Sequence, residues 1–295
     1  MVGKIIDVPT PLTEKQNETF IAYLDRASGN GIPLTQNQKI DLDSLQHKYN
    51  QSKIYKLSES TKNTLSELAF AEKYKRKVEI NSKMMTKGLD VEKYSRDILS
   101  RVSGLFLTAC NERKYNDWVT GQIDIEPDNV IIDIKSSWSW ESFTKILQEK
   151  PNELYLRQGD SYMDLWGVKE FLLCYILTDT PAKLVDGELR KADYNNNIMD
   201  FEGNIRDENI EDAKKIVTNH IFSRKALEQY CDQSAIIHIE WFDDFVEIPE
   251  RDRVHMIPHS FDEERIEQRN KCILLARDYM SKCTPINNFK PELLK

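Results

Sequence analysis

The sequence predicts an α/β fold, with a mixed central sheet flanked by helices and a helical region ahead of it. Three observations point there. Phe171-Leu-Leu-Cys-Tyr-Ile-Leu177 is an unbroken apolar run of strand length, the pattern of a strand buried on both faces. Gly121-Gln-Ile-Asp-Ile125 and Val130-Ile-Ile-Asp-Ile-Lys135 read as two further strands around the turn sequence Glu126-Pro127-Asp128-Asn129. Stretches rich in Glu, Lys, Gln and Leu surround these runs, so helices should outnumber strands.

The N-terminal region, residues 1–80, contains a weak echo. Pro11-Leu-Thr-Glu-Lys-Gln16 recurs as Pro33-Leu-Thr-Gln-Asn-Gln38, and in both a Thr precedes a Gln at capping-box spacing. Ser28-Gly-Asn-Gly31 between them reads as a turn, and Leu57-Ser-Glu-Ser-Thr61 opens another helix running to about Lys77. Two echoes fall short of a solenoid, which needs at least three stacked repeats. Residues 1–80 therefore read as a helical accessory region, and 81–295 as the main domain. In the latter, residues 87–103 form an amphipathic helix beginning near Gly88, and 152–166 a second helix. Residues 186–210, with Asn195-Asn-Asn197, read as a loop, 211–230 as helix, 234–246 as a strand or hairpin, and 261–282 as a closing charged helix.

Composition narrows the function classes. At 31% charged and 40% hydrophobic residues, the chain is neither disordered nor membrane-like. A net charge of −8 argues against wholesale coating of nucleic acid but leaves room for a local basic channel. The five cysteines include no C-x-x-C pair, so neither a disulfide framework nor a compact zinc site is signalled, and reduced thiols in the cytoplasm are expected. No apolar signal core opens the sequence, and no apolar run approaches a membrane span.

The chemistry concentrates in the paired runs. With the turn centred on Pro127-Asp128, Asp124 lies opposite Ile131. Strand side chains alternate, so Ile131, Asp133 and Lys135 share that face with Asp124. Two carboxylates and an ammonium on an apolar hairpin would be costly as mere core residues. A divalent metal accounts for them: Mg²⁺ favours carboxylate oxygens, retains waters and accepts a substrate phosphate. It would acidify a water and stabilise charge on a phosphoryl group.

Gly121-x-x-Asp124 followed by Asp133-Ile-Lys135 resembles the PD-(D/E)XK nuclease superfamily. Upstream, Gly88-x-x-x-Glu92 is similar to its helical glutamate motif. Downstream, Gln158-Gly-Asp-Ser-Tyr162 matches the Q-x-x-x-Y motif of the RecB-type and phage-exonuclease branch. The resemblance covers residues 87–177 and implies a restriction-endonuclease-like core. It implies a DNA nuclease dependent on Mg²⁺ or Mn²⁺, an exonuclease before an endonuclease, of recombination, repair or phage DNA metabolism, in the cytoplasm of a bacterial or phage-infected cell. It assigns the metal to Glu92, Asp124, Asp133 and the Ile134 carbonyl. Lys135 would position the nucleophile, Gln158 and Tyr162 would support the centre, and Ser136 would reach a phosphate. The literal Pro127-Asp128 pair falls in the turn rather than before Asp124, so Asp124 takes the ligand role. Some relatives hold an iron–sulfur cluster, but Cys110, Cys272 and Cys283 are wrongly spaced for one, and none is expected.

Each signal has a plainer reading. Glu92 can be a solvated helix glutamate, Gln158 and Tyr162 a surface pair, and Trp138 and Trp140 either packing groups or platforms for unpaired bases. Lys145, Lys150 and Arg157 can line a DNA path or be exposed helix charges. His238, His255 and His259 lack metal-ligand spacing and read as structural or surface residues. The opposing function class is a non-catalytic nuclease-fold module that binds DNA or assembles with partners. The N-terminal helices are candidates for docking a single-strand annealing protein or a helicase.

Overall fold

The computed structural model describes residues 11–76, 82–125 and 128–283. The chain divides into two units, Met1–Val78 with Asp262–Lys295, and Glu79–Phe261. No helix among the described residues is long and apolar enough to cross a membrane.

In the first unit, α1 (Glu14–Ala27) and α2 (Gln36–Gln51) both start at capping boxes. The Thr13 and Thr35 hydroxyls accept from the N–H groups of Gln16 and Gln38, each at 3.3 Å, and the Gln side chains accept from the Thr N–H groups in return. A cap of this kind stabilises a helix by about 1 kcal/mol, so the echo marks two helix starts. Ser58 caps α3 (Glu59–Lys73), its hydroxyl accepting from the Thr61 N–H at 3.2 Å. The terminal helix, α10 (Glu263–Lys282), belongs to this unit and packs on α3, with the Ser66 and Tyr279 hydroxyls 3.2 Å apart.

The second unit begins with α4 (Lys83–Ser103), ended by Gly104 in the left-handed conformation at φ 72°. Strands β1 (Arg113–Tyr115) and β2 (Thr120–Gln122) pair antiparallel. Strands β3 (Val130–Ser136), β4 (Glu170–Ile176) and β5 (Val254–Ser260) form a mixed sheet in the order β3-β4-β5, with β3 and β4 parallel and β5 antiparallel to β4. The connection from β3 to β4 carries α5 (Trp140–Gln148) and α6 (Glu153–Trp166), as a parallel crossover requires. After β4 come α7 (Ala182–Asn196), α8 (Ile210–Thr218) and α9 (Arg224–Gln233), which pack around their own apolar core, including Val185, Leu189, Val217 and Leu227.

The apolar run at 171–177 is the central strand, covered on both faces. Ile131, Phe171 and Leu173 pack with Met163 of α6 on one face; Ile132, Ile134, Cys174 and Ile176 pack with Ile98 and Leu99 of α4 on the other. The alternation of β3 thus sends Asp133 and Lys135 toward the α6 side, with Ile131. Gly159 permits this packing: a Cβ there would meet the Phe171 ring at 2.6 Å.

Several sequence expectations are corrected. Residues 120–125 and 130–135 do not form a two-stranded hairpin among the described residues; β2 pairs with β1, Ala109 bridges Ile125, and β3 pairs with β4. Glu126 and Pro127 of the expected turn lie outside the described residues. The 186–210 loop begins as helix: α7 runs to Asn196, and Asn197 ends it in the left-handed region, which Asn tolerates. The 211–230 helix is two helices, broken between Thr218 and Arg224. Residues 234–246 contain a short 3₁₀ turn, Ile239–Phe242, and no strand. Strand β5 went unrecognised because Pro258 and two histidines interrupt its pattern, which an edge strand tolerates.

Candidate active site

Among the described residues strand β3 is an edge of its sheet, so half of its backbone groups need partners other than β4. Asp124 supplies one: its Oδ2 accepts from the Ile134 N–H at 2.8 Å. The carboxylate that the hairpin register placed opposite Ile131 therefore lies beside Ile134, between the two other residues of the trio. The following strand residues are held by α4. The Ser136 and Ser95 hydroxyls are 2.8 Å apart, and Ser95 donates onward to the Val91 carbonyl. Ser136 is thus tied to α4 through its hydroxyl.

Asp133 is buried, 1% exposed. Lys135 Nζ lies 2.6 Å from its Oδ2, a close ion pair. Burial pushes Asp133 up to about 6; the ammonium of Lys135 pulls the other way, and the Asp124 carboxylate adds to the rise. Burial alone would lower Lys135, yet the Asp133 and Asp124 carboxylates hold its pKa above the ordinary value, so it stays an ammonium. A buried carboxylate paired with an ammonium and set beside a second carboxylate is a setting a divalent cation fits. Asp124 and Asp133 would hold such an ion.

On the α6 side, Gln158 Nε2 donates to the Tyr162 hydroxyl at 2.6 Å. Burial raises the Tyr162 pKa, and the nearby Asp133 carboxylate raises it further, so the phenol keeps its proton. The Tyr162 ring lies against Gly121, where a Cβ would come within 2.7 Å of Cε1. Gly121 is therefore required by close approach. Gly121→Ala is expected to displace the ring, break its bond to Gln158, and cost about 1–3 kcal/mol, as overpacking does. An unchanged urea midpoint would contradict this.

Glu92 sits on α4, on the opposite side of β3 from Asp133, and its side chain is half-exposed with Arg96 at 4.0 Å. It shares a groove of about 360 Å³ with Met84, Met85, Leu89, Asp124, Lys135 and Tyr155. Among the described residues, no three His, Cys, Asp or Glu side chains gather closely enough to hold a metal ion. Asp124, Asp133 and Lys135 are thus together, with Gln158 and Tyr162 beside them, while Glu92 shares the groove with Asp124 and Lys135 only. Tyr155, whose ring centroid lies 5.0 Å from Lys135 Nζ, was missed; no motif spacing singles it out.

Other charged and aromatic residues take structural places. His259 Nε2 lies 2.9 Å from Asp160 Oδ1, and the Trp138 ring packs edge-on against His220. Lys145 pairs with Glu141 at 3.5 Å on the exposed face of α5.

The missed residue with the most unusual surroundings is Lys87. It is fully buried, and its Nζ donates to the carbonyls of Ser137 (2.7 Å) and Trp138 (3.0 Å). Its spacing to Val91, Ser95 and Ile98, all on the buried helix face, is the signal that places it inside. Burial lowers Lys87 to about 7, with the Asp179 carboxylate opposing. The unfolded chain, with Lys near 10.5, binds this proton more readily than the folded one between pH 7 and 10.5. Stability is therefore expected to rise with pH across that window, by at most about 1.4 kcal/mol per unit for this one group. Lys87→Met should flatten that rise in urea titrations; an unchanged slope would contradict it.

No family model and no curated protein matches the chain. Among solved structures, a phage-related exonuclease from Haemophilus somnus 129PT is similar at 20% identity and a TM-score of 0.54, covering 88% of this chain and 92% of that one. An alkaline exonuclease from Laribacter hongkongensis (LHK-Exo) is similar at 13% identity, with 76% and 81% covered and a TM-score of 0.46. Its complex with dAMP gives 12% identity and a TM-score of 0.45, with the same shares of the two chains covered. The chain thus shares the fold of the phage-related exonuclease.

Proposed function

We propose that the protein is a metal-dependent nuclease that hydrolyses DNA phosphodiester bonds, acting as an exonuclease. The observation that carries this reading is the buried Asp133 carboxylate, paired with Lys135 at 2.6 Å and set beside Asp124, with Asp124 and Lys135 lining an open groove. Asp124 and Asp133 would hold a divalent ion, and the Ile134 carbonyl and Glu92 would be its further ligands. Bound Mg²⁺ or Mn²⁺ supplies Lewis acidity toward a phosphoryl oxygen and acidifies a water. Lys135, kept cationic by its two carboxylate neighbours, orients the attacking water or the phosphate. Gln158 and Tyr162 back the centre as a hydrogen-bonded pair. The likeness to a phage-related exonuclease supports the direction of this reading. Recombination, repair or phage DNA metabolism is the matching setting, and the N-terminal helices are the surface for a protein partner such as a single-strand annealing protein or helicase.

The test is linear DNA labelled separately at its 5′ and 3′ ends, incubated with Mg²⁺ or Mn²⁺. Stepwise release from one end, absent in Lys135→Ala, is the expected result. Cleavage of covalently closed circles would convert the reading to an endonuclease. Tight DNA binding without cleavage in either metal would replace it with a non-catalytic module.

A further inference from the structure

The groove has two walls from different elements. One is the edge of β3 with Asp124 and Lys135; the other is α4 with Gly88, Leu89 and Glu92. Whatever fixes α4 against the end of β3 sets the separation of those walls. Beyond the apolar packing of Ile98 and Leu99 on Ile132 and Ile134, two polar attachments are present. The first is the Ser95–Ser136 hydroxyl pair. The second is stronger in kind: a fully buried amine on α4 reaching two consecutive carbonyls immediately after β3, those of Ser137 and Trp138.

We propose that Lys87 is a positioning residue for hydrolysis, tying α4 to the chain leaving β3 and thereby setting Glu92 opposite Asp124 and Lys135. This inference rests on the nuclease reading and extends it to a residue that touches neither metal nor substrate.

Three observations favour the role over simple packing. An apolar side chain would fill the same space without the desolvation an amine suffers there. The amine is aimed at the segment that carries the site, not at the core of α7–α9. The same Trp138 carbonyl also lies 3.2 Å from His220 Nδ1, so the exit of β3 is held from two directions. Ser137 N–H, in turn, donates to the Ile176 carbonyl at 2.8 Å, extending the β3–β4 ladder one residue and fixing the peptide that Lys87 grips. The charged groups around Lys87 and His220 are Asp179, Lys83 and Glu188. None of them replaces the two donated bonds.

The experiment compares the full-length wild type with Lys87→Met, Lys87→Gln and a control core truncation, Leu227→Ala, in the α7–α9 core. End-labelled DNA gives kcat and KM, Mn²⁺ titration calorimetry gives metal affinity, and urea midpoints give stability. Lys87→Met is expected to lower kcat at least tenfold with KM within threefold, and to weaken Mn²⁺ binding. Lys87→Gln, which retains a donor, should recover part of kcat. Leu227→Ala should lose stability while keeping kcat and Mn²⁺ affinity. An active wild type with Lys87→Met equal to it in kcat and Mn²⁺ affinity overturns the inference alone. A loss in Lys87→Met matched by Leu227→Ala also overturns it. A wild type that neither cleaves DNA nor binds Mn²⁺ overturns the nuclease reading, and this inference with it.

Discussion

Asp133→Asn is expected to reduce DNA cleavage by at least about 100- to 1000-fold while leaving the fold intact. The substitution keeps the shape of the side chain and removes the charge that would hold a cation. Losing several kcal/mol of stabilisation of charge on the phosphoryl group corresponds to losses of this size. The fold should survive because burial disfavours the charge on Asp133. An amide relieves that cost. It also leaves the Lys135 ammonium without its 2.6 Å partner, though Asp124 remains nearby. These effects oppose each other, so the melting temperature should move by only a few degrees. Cleavage kinetics and thermal melts on the same preparation check this. Retained activity would remove Asp133 from the centre; loss of the folded state would show that its charge is structural.

Asp179→Ala is expected to produce the largest loss of stability of any single change considered, about 3–5 kcal/mol, because it strips the partner from a buried cation. Arg253 is 1% exposed, with Nε on the Ile248 carbonyl at 2.6 Å, Nη2 on the Phe222 carbonyl at 2.9 Å and Nη1 3.4 Å from Asp179. Asp179 also accepts from the N–H groups of Phe222 (2.6 Å) and Ser223 (3.0 Å) and from the Ser223 hydroxyl (2.8 Å). The Tyr94 hydroxyl approaches it at 3.4 Å. One carboxylate thus fastens α4, the end of β4, the start of α9 and the chain entering β5. Typical domains are stable by only about 5–15 kcal/mol, so the loss is a large share of the total. Asp179→Asn, which keeps an acceptor oxygen, should fall between. Urea midpoints decide it; a change under about 1 kcal/mol would show that Glu247, 3.7 Å from Arg253 Nη2, replaces Asp179.

What was legible in the sequence divides along physical lines. Features set by local chemistry were readable: both Thr–Gln capping boxes, the central apolar strand and the α6 helix. Each depends on neighbours within a turn or on simple burial. The juxtaposition of Asp124 with Asp133 and Lys135 was also anticipated, but by a different route. The hairpin register assumed backbone pairing, whereas the structure uses the Asp124 side chain to satisfy the edge of β3. Strand β5 was hidden by Pro258, and α7 by its terminal asparagines, because edge position and helix ends are tertiary facts. Lys87 was hidden for another reason. A lysine on a charged helix reads as solvated, and only the segment that packs on it shows that its amine has carbonyl partners.

The account depends on a divalent cation between Asp124 and Asp133. Crystals of the protein soaked in Mn²⁺, with anomalous scattering recorded at the manganese edge, address this directly. A manganese peak in contact with both carboxylates, absent from Asp133→Asn crystals, is the expected result. Full manganese occupancy elsewhere in the molecule, with the Asp124–Asp133 site empty, would contradict it.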